Sequence, residues 1–128
     1  MKKFWLGFLK ALLLSAVFAL GAHAAQTKSI RDFAQRQVQV PENIRSVATL
    51  GSVGVLNCFI FAMGEGDKIA NALPPRFTKT DRWKYHYKFN PALKNYPVIE
   101  DAESSIIMEE LLKVRPDIVF TMDKRQAD

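Results

Sequence analysis

A chain of 128 residues is long enough for one modest domain, and 48% hydrophobic residues can furnish its core. A single cysteine, Cys58, excludes an intramolecular disulfide and a cluster of thiolate metal ligands. The formal net charge of +5 is inflated by Lys2, Lys3 and Lys10: without them 15 basic residues face 13 acidic ones, a net +2, too little to argue for a polyanion partner.

The N-terminus pairs positive Lys2 and Lys3 with an apolar run at 11–20, "ALLLSAVFAL", and then Ala22-His23-Ala24, an A-x-A pattern. This is the layout of a secretory signal peptide over residues 1–24, cut after Ala24 or Ala25. The run is too short to cross a bilayer core of about 30 Å, and Lys10 interrupts its approach. No cysteine at the junction offers a lipid anchor.

Past the leader, "IRDFAQRQVQV" over 30–40 predicts two short strands around Ala34-Gln35-Arg36, with Val38 and Val40 alternating against Gln37 and Gln39. Pro41 closes the second, because proline donates nothing to a ladder. A compact strand is expected over 45–50 and broken at Gly51-Ser52. Ser52 then stands at the cap of a helix over 53–63, apolar almost all round except Asn57 and so expected to be buried on most sides. Cys58 reads as a small buried hydrophobe within it. Gly64 and Gly66 end the helix, and 68–70 is a second short strand. Residues 71–96 form a long connection with prolines at 74, 75 and 91. Ile107, Leu111 and Val114 at i, i+4, i+7 predict a helix over 105–114. Pro116 stops it, and Ile118-Val119-Phe120, without alternation, suits a parallel strand covered on both faces. Strands alternating with helices give an α/β class.

Three segments, in order, resemble the periplasmic substrate-binding proteins of iron-siderophore, haem and cobalamin ABC importers. "RQVQVPENIRSVATL" is similar to that family's opening hairpin, Val-Pro pair, arginine and first core strand. "FAMGEGDKIA" is similar to its glycine turn between first helix and second strand. "MEELLKVRPDIVFT", with Arg115-Pro116-Asp117 in register, resembles its helix-to-strand segment. The resemblance covers about residues 30–122 and implies a two-lobed protein holding its solute between the lobes. The expected fold is accordingly α/β, a partial N-terminal lobe of a two-lobed periplasmic binding protein: a short N-terminal hairpin, then parallel β-α-β units. Residues 25–128 form that incomplete lobe, and the sequence stops at "DKRQAD", where the resemblance implies a further helix and then a second lobe. With the leader, it implies a periplasmic, monomeric, non-catalytic protein without a resident cofactor. Its partners would be an inner-membrane ABC permease and a metal chelate, a ferric siderophore foremost, then haem or cobalamin. The alternatives are a non-functional truncated product and an α/β lobe of a metal-cofactor enzyme; the second would need a nucleophile–base pair or several cysteines.

Ligands of open α/β sheets sit beyond the carboxyl ends of the strands, which points to Ser52, the connection after 71, and Met122-Asp123-Lys124. Ser52 is a candidate ligand contact or a plain helix cap. From 76 to 88 the connection carries Arg76, Lys79, Arg82, Lys84 and Lys88 against Asp81 alone. Within it "WKYHYKF" alternates, which predicts an extended ribbon with Trp83, Tyr85, Tyr87 and Phe89 on one face. Arg76, Arg82, Trp83, Tyr85 and Tyr87 are therefore candidate contacts for a flat anionic chelate; the other reading packs the aromatics on the lobe and leaves the lysines solvated. The same mixture marks single-strand nucleic-acid binders, but export argues against that partner. A bare metal ion is disfavoured because His86 is the only histidine past the leader. The resemblance places a permease-docking glutamate at Glu109, with Glu110 adjacent, against the alternative of a solvated helix charge. Two departures stand out: Ile107 replaces a frequent asparagine, and "IEDAESS" is more acidic than its counterpart.

Overall fold

The structure is a computed structural model that describes residues 26–127; the expected signal peptide lies outside the described residues. Strands β1 (Thr27–Arg31) and β2 (Gln37–Pro41) form the expected antiparallel hairpin. Its turn is held by Asp32, whose carboxylate accepts from the Arg36 amide at 2.8 Å and pairs with the guanidinium at 2.7 Å. The amide bond first, then the guanidinium, holds the Asp32 carboxyl below its ordinary 3.8.

Strand β3 (Val47–Leu50) is buried throughout and leads into helix α1 (Val53–Ala62). Gly64, at φ +78°, ends the helix in the left-handed conformation expected there. The chain then returns to β3 through one parallel bridge, Ile69 to Val47, rather than a strand over 68–70. The reason is Asn71. Its side-chain amide accepts from the Thr49 amide (2.9 Å) and donates to the Thr49 carbonyl (3.2 Å), standing in for the ladder a strand would supply.

Residues 71–96 are not an open connection. They hold short helices α2 (Pro75–Thr78) and α3 (His86–Phe89), with 3₁₀ turns at Asp81–Trp83 and Pro91–Lys94. "WKYHYKF" is therefore helical, not a ribbon. Burial follows Trp83, His86, Tyr87 and Asn90, spaced i, i+3, i+4, i+7, while Lys84, Tyr85, Lys88 and Phe89 point outward.

Helix α4 (Met108–Val114) precedes strand β4 (Ile118–Thr121), which pairs with β3 in parallel, Val47 opposite Ile118. The Arg115-Pro116-Asp117 motif makes that register. Arg115 takes the left-handed cap at φ +48°, and the Asp117 carboxylate accepts from the Arg45 and Ser46 amides, at 2.7 and 3.0 Å. A last helical turn, α5 (Lys124–Ala127), follows.

Two apolar clusters hold the layers together. Val47, Ile60, Ile69 and Leu93 pack on the α1 side; Ala48, Leu50 and Ile99 pack beneath α4. Three expectations of full burial fail. Val119 and Phe120 of β4 are each 41% exposed, α1 leaves Val55, Phe59 and Met63 open, and Cys58 is exposed.

Candidate functional site

The carboxyl ends of β3 and β4 and the loops behind them meet at one buried carboxylate. Glu100, fully buried, accepts from the Gly51 amide (2.8 Å) just past β3. Its other oxygen pairs with the Arg76 guanidinium at 3.1 Å, reached from α2. Gln126 in α5 donates to Glu100 at 2.9 Å and to the Ser104 carbonyl at 3.0 Å. Arg76 also donates to the carbonyls of Gly51 and Asp101. Four chain segments, two of them directly after β3 and β4, are thus tied through Glu100. Ordering a carboxylate this far from water is favourable only when its acceptors are filled, and three donors fill them here.

Around this hub the polar groups are also bonded to one another. The Asp101 carboxylate accepts from the Glu103 and Ser105 amides, at 3.0 and 2.8 Å. Asp123 pairs with Arg125 at 2.7 Å, whose side chain lowers the Asp123 carboxyl below 3.8. Ser52 stands at the start of α1; its carbonyl accepts from the Val55 and Leu56 amides, and its hydroxyl makes no capping bond. That hydroxyl is the least engaged polar group at the expected position.

The aromatic candidates lie elsewhere. Trp83 sits on Gly54 of α1, where a Cβ would come within 2.7 Å of the indole. It meets Phe77 and His86 edge-on, both at 5.4 Å between ring centroids. His86 donates from Nε2 to the Gly54 carbonyl at 3.0 Å, and the Cys58 sulfur lies 3.9 Å from the same nitrogen. Trp83, His86 and Cys58, with Phe61, Tyr85, Phe89, Arg82 and Asp67, line a groove of about 910 Å³. The groove follows the carboxyl-terminal half of α1 and the turn at Gly64 and Gly66. The end at Gly64 lies ten helical residues, about 15 Å, from the strand tips, while the Trp83 end reaches Gly54, two residues past Ser52. Its wall carries both signs, Arg82 over Trp83 at 5.3 Å and Asp67, with Lys88 over Tyr85 at 5.1 Å beside it. A second hollow, of about 400 Å³, opens at the amino ends of the strands beside Arg45, Asp67 and Lys113.

The structure therefore divides the expected contacts. Ser52 and Arg76 are at the strand tips. Arg82, Trp83 and Tyr85 are in the groove. Tyr87 belongs to neither: it packs against the Val47–Leu93 cluster, where burial pushes its hydroxyl above the ordinary 10.0. Glu109 projects from the first turn of α4 with its side chain 79% exposed, paired to Lys113 at 3.0 Å. Glu100 is the residue that sequence reasoning misses. The acidity of "IEDAESS" is visible in the letters, but not that its first acid turns inward at the end of a buried segment.

No protein-family model matches the sequence, and no curated protein does. Solved structures do. A periplasmic solute-binding protein of Veillonella parvula superposes with a TM-score of 0.61 at 22% identity, covering 73% of this chain and 28% of that one. The heme binding protein HmuT gives 0.54 at 20% identity, over 79% and 28%. An arginine-to-alanine variant of HmuT gives 0.57 at 20% identity, over 83% and 30%. The chain thus spans under a third of the length of these structures. At such identities the likeness is one of fold: hairpin, then parallel β-α-β units, as in one lobe of a bilobed periplasmic binding protein.

Proposed function

We propose that this chain provides solute-facing surface of a periplasmic binding protein that captures a metal chelate and delivers it to an inner-membrane ABC permease. The observation that carries this reading is the convergence of four chain segments on Glu100, two of them the ends of β3 and β4, where open α/β folds hold their ligands. A chelate as cargo is supported by the fold likeness to proteins described as heme-binding and by the family resemblance of the sequence. Ferric siderophores come first, with haem and cobalamin beside them. The role is capture and release, without chemistry on the cargo. Ser52 and the loops at Asp101 and Met122 are the proposed contacts. Glu109 is the proposed docking residue: its pair with Lys113 is exposed, and such pairs yield readily to a competing arginine.

A second reading is favoured by one observation, the size and lining of the aromatic groove. About 910 Å³ walled by Phe61, Trp83 and Phe89 with Arg82 at the rim has the dimensions of a small-molecule site. Titration of the whole chain with a ferric trihydroxamate, a ferric tris-catecholate, haem and cobalamin, followed by tryptophan fluorescence, tests binding in either place. Saturable quenching by at least one chelate is expected; none with any of the four contradicts the function.

A further inference from the structure

We propose that Glu100 sets the charge preference of the strand-tip face, steering it towards neutral or cationic chelates and away from anionic ones. The inference rests on the reading that this face meets the solute. Arg76 is the guanidinium placed at the tips, and a free guanidinium there would grip carboxylate or catecholate oxygens in a two-pronged, charge-assisted manner. It is not free. Three of its five N–H donors go to Glu100, the Gly51 carbonyl and the Asp101 carbonyl. Its side chain is 23% exposed and its partner carboxylate 0%. A solute that recruited Arg76 would leave a buried carboxylate short of its countercharge, a heavy penalty.

The remaining charges do not replace it. Arg125, largely exposed, pairs with Asp123 at 2.7 Å and adds no net charge. Asp101 and Glu103 then stand against Lys124. What the face offers outward is the Ser52 hydroxyl and the Asp123–Arg125 pair, on a ground that is neutral to slightly acidic in sum. A ferric trihydroxamate or a corrinoid suits that surface; a ferric tris-catecholate, with its excess negative charge, does not.

Three forms of the whole chain decide this: the unaltered protein, Glu100→Gln, and the double variant Glu100→Gln/Arg76→Gln. Each is checked for fold by circular dichroism. Calorimetry with a ferric trihydroxamate and a ferric tris-catecholate should show the unaltered chain preferring the first. Glu100→Gln should gain about tenfold or more for the tris-catecholate alone, since one charge-assisted contact is released. The double variant should return to the unaltered preference, because a pair that never faced the solute is not missed. Loss of tris-catecholate affinity in the double variant overturns the proposal, as does an unchanged preference in Glu100→Gln. If Glu100→Gln fails to fold, the double variant alone decides by the same criterion.

Sulfate, followed through the Gly51 and Ser52 amide resonances, separates this inference from the functional reading. Shifts confined to Glu100→Gln support the charge assignment even if no chelate binds any form, in which case the functional reading falls alone. Equal shifts in the unaltered chain, or none in Glu100→Gln, overturn the charge assignment.

Discussion

The strand tips and the aromatic groove spend their side chains in opposite ways. At the tips, Glu100, Arg76, Gln126, Asp101 and Asp123 bond to one another and to nearby backbone. In the groove, Trp83, Phe61 and Phe89 present ring surface, and Arg82, Lys84 and Lys88 lie over neighbouring rings. The tips are polar and internally paired; the groove is largely apolar, with Arg82 and Asp67 in its wall. A residue's chemical type therefore does not reveal what it offers a ligand. Arg76 and Arg82 are the same residue in one short stretch, yet one closes a buried ion pair and the other borders an open cavity.

If the tip hub is held as tightly as its geometry implies, Glu100→Ala should have the largest effect. It strands Arg76 and the Gly51 amide and should cost about 3–5 kcal/mol, read from urea unfolding of the whole chain. A loss within the range of an exposed pair would show the hub to be loose. Gly54→Ala probes the groove. The added methyl would come within 2.7 Å of the Trp83 ring, so a cost of about 1–3 kcal/mol and a red-shifted Trp83 emission are expected. A smaller effect should follow alkylation of Cys58. The exposed thiol should react without unfolding and alter Trp83 emission, while the Gly51 and Ser52 amide resonances stay in place. Movement of those resonances would show the two regions to be coupled.

The smallest effect concerns Asp123. Arg125 lowers its carboxyl below 3.8 in the folded chain. The contribution is therefore present above the unfolded value and is lost as pH falls through the lower folded one. Carboxyl carbon NMR should place the midpoint below 3.8, and Arg125→Gln should raise it towards the ordinary value.

Much of the frame is legible in the sequence. The hairpin, α1, α4 and the parallel pairing of β4 follow from alternation, helical spacing and the Arg115-Pro116-Asp117 punctuation, because each is written within a few residues. The expected strand over 68–70 does not form because Asn71 replaces a ladder with its side chain, an exchange no periodicity records. "WKYHYKF" misleads because its alternating aromatics mimic one face of a ribbon. The helical spacing of Trp83, His86, Tyr87 and Asn90 is present in the same letters, and His86 and Asn90 are buried because each has a backbone carbonyl to bond. For the candidate site, the tip position of Ser52 is legible from fold class. The Arg76–Glu100 pair is not, since its members are 24 residues apart and meet only in the folded chain.

The claim that the solute meets the chain at the strand tips is tested most directly by amide chemical shifts during titration with a diamagnetic gallium trihydroxamate. Shifts should concentrate at Gly51, Ser52, Asp101–Ser105 and Met122–Arg125, with Cys58, Phe61, Ala62 and Gly64 unmoved. The reverse pattern, with the α1 groove shifting and the tips still, would contradict the account.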